Sequence, residues 1–261
     1  MKHPLVILSM QGDQNEYMKL AIISSPRCGN TWLRRVLAEG LDLQEMAVHN
    51  FLDVGAVPDA CILQLHWYRE PNFQVFLQRH GFKVITLARH PLDILLSMLR
   101  FIRYEPETAR WLEGNCAIPA SLTSATPASP EFLEYALGFG FENLLSVSYQ
   151  WWHDEAAIKV RYEQLVAAPE IEVARLAHRL DAPVDPILAA LARNPLGRLQ
   201  ATPNRHGWRG QPGLWRELIP RPTAVAIHTH YRTLFRRMGY TIERGGVARQ
   251  DAERRWLQLA E

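Results

Sequence analysis

The sequence predicts an α/β protein, a central parallel β-sheet flanked by helices, and two observations carry that expectation. Short apolar runs of β-forming residues alternate with helical patterns, as crossover connections between parallel strands require. The chain has 261 residues, 48% of them hydrophobic and 21% charged. That is enough to bury one large core, and it is ordinary globular composition, not that of a disordered or fibrous chain. A single domain over 1–261 is expected.

Taken in order, 19–25 (KLAIISS) reads as a buried strand, followed by a Pro/Gly turn and a helix over about 30–40. A second strand covers 61–66 (CILQLH), a helix 73–80, and a third strand 82–88 (FKVITLA). Pro91 suits the first turn of the next helix, which needs no N–H there, and that helix runs to about residue 103. Residues 157–161 (AIKVR) form a fourth strand and 169–180 a helix, and the C-terminal third is mostly helical. Two stretches break the rhythm. The Pro-, Ser-, Thr- and Ala-rich run 104–130 is too long for an ordinary connection and is expected to be a lid or a mobile insertion. The tail 244–261 opens on two glycines and continues as a charged, weakly amphipathic segment, expected as a docked terminal helix.

Composition excludes several function classes. The 29 basic and 27 acidic residues leave a net charge of +2, too weak a field to mark a nucleic-acid binder. Only Lys2, Lys19, Lys83 and Lys159 of the basic set are lysines. Arginine forks suit phosphate and sulfate, but a GC-rich genome produces the same bias. Cys28, Cys61 and Cys116 are widely spaced with no CxxC pair, so neither a zinc site nor a disulfide framework is expected. The early apolar run 5–10 is too short for a signal-peptide core or a membrane span. A cytoplasmic protein follows as the expectation.

Three segments carry chemistry. The first, Ser24-Ser25-Pro26-Arg27-Cys28-Gly29-Asn30-Thr31-Trp32, links a strand to a helix. Such a turn lines up backbone N–H groups with a helix N-terminus and makes an oxyanion cradle. Arg27 adds fixed charge and Thr31 a hydroxyl, and the spacing is not that of a Walker A loop. The second, Arg89-His90-Pro91-Leu92-Asp93 continuing to Ser97, ends a strand on Arg89 and places Asp93 and Ser97 on one helix face. A phosphate there would take a fork from Arg89 and a hydroxyl from Ser97, unless Arg89 simply pairs with Asp93. The third, Trp208-Arg209-Gly210-Gln211-Pro212-Gly213-Leu214-Trp215, is a basic loop whose glycines let backbone approach an anion. Each alone is compatible with an ordinary turn or surface loop.

Together, in this order and spacing, the segments resemble the sulfotransferases that use 3′-phosphoadenosine 5′-phosphosulfate (PAPS), whose motifs read roughly P-[KR]-[SAC]-G-[TN]-T-W, R-x-P-x-D-x-x-x-S and [RK]-x-G-x-x-G-x-W. The resemblance spans about 19–215 and implies a P-loop NTPase-like sulfotransferase fold. It implies that Arg27, Cys28, Gly29, Asn30 and Thr31 surround the 5′-phosphosulfate, and that Trp32 and Tyr162 stack on adenine. Arg89 and Ser97 would bind the 3′-phosphate with Arg209 and the Gly210 backbone. His66, ending the second strand, stands where the family places its base. Four positions depart from the family: Arg27 for lysine, Cys28 for a small hydroxyl residue, Gln64 where animal members carry lysine, and Trp208 for the first basic residue of the third motif.

The activity implied is in-line sulfuryl transfer from PAPS to a hydroxyl, less favourably an amine, of a small-molecule, lipid or glycan acceptor. Arg27 and His66 would be the catalytic residues, the product would be 3′,5′-ADP, and no metal is expected. No nucleic-acid partner or membrane span is implied, and a homodimer is left open. The rival expectations are an ATP-using kinase of related fold and a non-catalytic nucleotide-binding relative. Acceptor walls are expected from 48–57, 104–130 and 132–152, including Phe139, Phe141, Tyr149, Trp151 and Trp152, although core burial is the commoner fate of each such aromatic. His228 and His230, two apart on a helix, face different ways and are discounted as a metal pair.

Overall fold

In the computed structural model, residues 17–104, 118–200, 208–242 and 245–260 are described. Five parallel strands, β1 (Lys19–Ile23), β2 (Gln44–Ala47), β3 (Cys61–Leu65), β4 (Lys83–Ala88) and β5 (Ile158–Arg161), form one sheet in the order β2-β3-β1-β4-β5. All four expected strands are present. The expectation omitted β2, a four-residue edge strand of mostly exposed Gln-Glu-Met-Ala that has no apolar run to announce it.

The inner strands are apolar on both faces because helices cover both. Leu20, Ala21, Ile22 and Ile23 are wholly buried, and alternate residues enter two cores. Ala21, Ile23, Cys61, Leu63 and Leu65 pack with Phe73 and Leu77 of α2 (Pro71–His80). Leu20, Ile22, Ile62, Ile85 and Leu87 pack with α1 (Asn30–Leu41) and α3 (Pro91–Tyr104). Further on, α4 (Pro130–Leu137), α5 (Phe139–Trp152), α6 (Tyr162–Ala167), α7 (Pro169–Leu180) and α8 (Val184–Arg193) follow the expected helical rhythm. The C-terminal part continues as α9 (Leu196–Gln200), α10 (Trp215–Leu218), α11 (Arg221–His230), α12 (Arg232–Met238) and α13 (Arg249–Ala260).

The strand order fixes where a ligand fits. From β1 the chain leaves toward β3 and β2, and from β4 it leaves the other way toward β5. Connections diverging at one edge open a crevice beyond the carboxyl ends of β1 and β4, where α/β sheets bind ligands. The terminal helix α13 is docked, as expected: Ala252 and Trp256 are buried, and Trp256 meets Trp208 edge to face at 5.9 Å. Of the expected insertion, residues 105–117 lie outside the described residues. The following segment makes a short 3₁₀ turn, Ala120–Thr123, anchored by buried Leu122.

Candidate active site

Four expected site residues follow four adjacent strands. In spatial order, His66 follows β3, the 24–32 loop follows β1, Arg89 follows β4 and Tyr162 follows β5. Neighbouring strands lie about 4.8 Å apart, so these groups lie in a row of about 15 Å.

The 24–32 loop is rigid because its polar groups are paired to fixed partners. Ser25 N–H donates to Ser148 Oγ at 2.7 Å and its own hydroxyl donates to the Leu144 carbonyl at 2.6 Å. Ser148 in turn donates to the Leu87 carbonyl at 2.8 Å, so α5 ties the loop to β4. Asn30 closes the turn, its Nδ2 donating to Ser25 O at 3.0 Å and its Oδ1 accepting from Ser24 Oγ. Gly29 stands in the left-handed region at φ 93°, and a Cβ there would come within 2.7 Å of the Tyr162 ring. Conformation and close approach therefore both demand glycine. The first turn of α1 carries no acidic residue and no side-chain cap, a helix start at which an anion can be met by backbone N–H groups. Thr31 is half-buried within that first turn.

Arg27, in the left-handed region at φ 67°, donates from Nε to Ser97 Oγ at 3.0 Å and lies 4.8 Å from the Phe101 ring centre. Ser97, 3% exposed, joins the first segment to the second. Cys28 is fully buried, and desolvation above all pushes its thiol up to about 12; its role is packing, because a nucleophile would have to be a thiolate.

Arg89 is 6% exposed. One guanidinium nitrogen donates to the Arg27 carbonyl at 2.9 Å, and the group lies 4.4 Å over the Tyr162 ring. Its Nε is buried with no hydrogen-bond partner among the described residues. Buried guanidinium donors are normally satisfied, so this one fits an anion supplied from outside. The suspected pairing of Arg89 with Asp93 is corrected: the Asp93 carboxylate accepts from the Gly213 N–H at 2.6 Å and the Trp215 N–H at 3.0 Å. That brings the 208–215 loop onto the second segment. Tyr162 adds a tie, its hydroxyl donating to the Gly210 carbonyl at 2.6 Å, and Gly210 is left-handed at φ 66°. Arg209 precedes it, exposed.

His66 is half-buried. Its Nδ1 lies 2.6 Å from the Ser24 carbonyl. A carbonyl only accepts, so Nδ1 carries the proton and Nε2 presents its lone pair. Burial first, then the His49 and Arg27 charges against the Ser24 bond, pull its pKa down to about 4. It is a neutral imidazole, the state a general base needs.

Trp32 differs from the stacking expectation. It is 4% exposed and its indole N–H donates to the Asn194 carbonyl at 2.8 Å. It lines a cavity of about 560 Å³ together with Arg35, Glu39, Arg193, Asn194 and Arg198. Among the expected acceptor aromatics, Phe141 and Trp151 are core, Tyr149 and Trp152 pack partly against it, and Phe139 is 70% exposed. Gln64 accepts from Arg34 at 3.1 Å.

The sequence reading missed the scaffold around Arg89. His90 stacks on Trp215 at 4.8 Å and 12°, and Nε2 donates to the Thr241 carbonyl at 3.1 Å while Nδ1 accepts from the Leu92 N–H. Glu163 accepts from the His90 N–H at 2.7 Å and the Tyr240 hydroxyl at 3.0 Å. The only local hint was that His90 and Asp93 sit inside the second segment.

A parallel α/β sheet of this order, with a glycine-containing loop after β1 and a buried arginine after β4, is a P-loop-like architecture. It is the sulfotransferase fold. Mouse sulfotransferase SULT7A1 complexed with PAP superposes with a TM-score of 0.63 at 17% identity, over 84% of this chain and 85% of that one. Retinol dehydratase in complex with androsterone and inactive cofactor PAP superposes at 0.57 and 14% identity, over 85% and 83%. No family model and no curated sequence matches the chain. No helix among the described residues is long and apolar enough to cross a membrane.

Proposed function

We propose that the chain is a sulfotransferase that moves a sulfuryl group from PAPS to a hydroxyl of a small-molecule, lipid or glycan acceptor, with His66 as general base. The observation that carries this reading is Arg89, a buried guanidinium with an unpartnered Nε, lying between the 24–32 cradle and the 208–215 loop. A second fixed positive charge beside the cradle is what a nucleotide with a separate 3′-phosphate requires, and an ATP site has no use for it. The PAP in both fold relatives supports the same choice.

On this reading the backbone N–H groups at the start of α1, with Arg27 and Thr31, hold the 5′-phosphosulfate. They meet the charge that grows on the leaving oxygen with donors already in place, which is how fixed dipoles lower such barriers. Arg89, Arg209 and the Gly210 backbone hold the 3′-phosphate, with Ser97 bridging to Arg27. Tyr162 and the edge of Trp32 border the base. His66 Nε2 takes the acceptor's proton as its oxygen attacks sulfur, and the Nδ1–H bond to Ser24 keeps the ring in the right tautomer and disperses the charge it gains.

Calorimetry with 3′,5′-ADP, 5′-AMP and ATP tests the reading. Binding of 3′,5′-ADP at least about 30-fold tighter than either rival is expected, since a buried charge-assisted phosphate contact contributes about 2–3 kcal/mol. Equal binding of all three, or tightest binding of ATP, contradicts it.

A further inference from the structure

Asp93 has no place in the chemistry above, yet it is among the most deeply buried polar groups of the chain, at 1% exposure. It lies in the first turn of α3, one helical turn after Arg89. Burial raises its pKa, against the pull of Arg89, the two N–H bonds and Arg216. A carboxylate buried against that penalty is expected to be doing something specific with its oxygens. Each oxygen takes one backbone N–H of the same loop, Gly213 at 2.6 Å and Trp215 at 3.0 Å. Gly213 is left-handed at φ 84°, a conformation that glycine adopts without strain. Three residues before it on the chain, at Gly210, the loop meets Tyr162, which itself carries Arg89 on its ring.

We propose that Asp93 is a positioning residue that latches the 208–215 loop over Arg89, and so sets the affinity for the 3′-phosphate of the donor. The proposal rests on the donor-site reading given above. The latch works by geometry: two acceptors on one helix turn face two donors of one loop, the Trp215 N–H buried and the Gly213 N–H half-buried, so the loop is bound in one pose. The outer side of the loop is fixed independently. His90 stacks beneath the Trp215 ring, Trp208 meets Trp256 of α13, and the Gly246 N–H donates to the Arg216 carbonyl at 3.2 Å. Removing the latch therefore frees the inner face of the loop without detaching its ends.

The test is Asp93→Asn, whose side chain offers one oxygen and one NH₂ to two N–H donors and so satisfies only one of them. The control is Glu172→Gln, which removes another buried carboxylate, on α7 and bonded to Arg175 at 2.7 Å, outside the site. Both variants are expected to melt lower. Only Asp93→Asn is expected to weaken 3′,5′-ADP by tenfold or more and to speed amide exchange across 208–216. In turnover it would raise the KM for PAPS and leave the acceptor KM alone. Asp93→Glu keeps the charge but displaces it by a methylene, and a latch set by position loses affinity there too, which covers the case in which the asparagine variant does not fold. Unchanged 3′,5′-ADP affinity in the folded Asp93 variants, or equal loss in Glu172→Gln, overturns the latch. Failure of the wild type to bind 3′,5′-ADP overturns the donor reading itself.

Discussion

The 24–32 and 208–215 loops face the same crevice but are held in opposite ways. The first is bound by its own serines and asparagine to strand ends and to α5, with partners buried on every side. The second has little internal bonding and is held by residues borrowed from elsewhere: Asp93, Tyr162, His90 and Trp256. On the proposed function the difference follows from their tasks. Charge that develops during transfer is best met by dipoles that need not move. A nucleotide must also enter, and a loop closed by a few separable contacts lets one edge of the site be set independently of the other. On this view changes near the first loop alter turnover, and changes near the second alter donor affinity.

The largest effect that would break this division is at His66. His66→Ala is expected to lower turnover about 10²- to 10⁴-fold while 3′,5′-ADP affinity stays within about twofold; parallel loss of both would erase the distinction. Next comes Trp256→Ala, which empties a fully buried indole under the second loop. A loss of about 3–5 kcal/mol in chemical denaturation is expected, as for other large-to-small core changes, together with weaker 3′,5′-ADP binding by the folded protein. If stability falls and affinity does not, α13 supports the fold and not the loop. Gly29→Ala sharpens the account of the first loop. Its positive φ and the Tyr162 ring at 2.7 Å from the new Cβ predict a loss of about 1–3 kcal/mol by the same measurement.

The smallest effect is in pH. His66 is neutral in the fold down to about pH 4, with burial the main cause, so kcat/KM should hold through neutrality and fall with a midpoint near 4. A midpoint at 6.5 or above would contradict the buried-base geometry. His90 is depressed to about 4 as well, again chiefly by burial. The unfolded chain binds protons at both rings below about 6.5 and the folded one only below about 4. Folding stability should therefore fall as pH drops across that window, and melting curves from pH 7 to 4 check it.

Much of the sheet and of the three loops was legible because local pattern encodes it. Apolar runs gave four of the strands, and each of the three loops announces itself by proline, glycine and arginine at fixed spacing. What escaped was carried by distant pairs or by weak pattern. Ser25 meets Ser148 across 123 residues, and Asp93 meets Gly213 across 120; no periodicity records such a contact. The edge strand β2 is too short and polar to alternate visibly. That the terminal helix docks was legible, but that Trp256 does so against Trp208 was not. The expected acceptor side was the least legible: two of the aromatics that suggested a pocket, Phe141 and Trp151, are core.

The central claim is that Arg89 reads a 3′-phosphate, and the most direct test is the ratio of 5′-AMP to 3′,5′-ADP dissociation constants in wild type and in Arg89→Ala. The account predicts a ratio of about 30 or more in the wild type, collapsing to near one in the variant because the 3′-phosphate loses its buried partner while 5′-AMP binding barely changes. A ratio that survives the substitution, or that is already near one in the wild type, would contradict it.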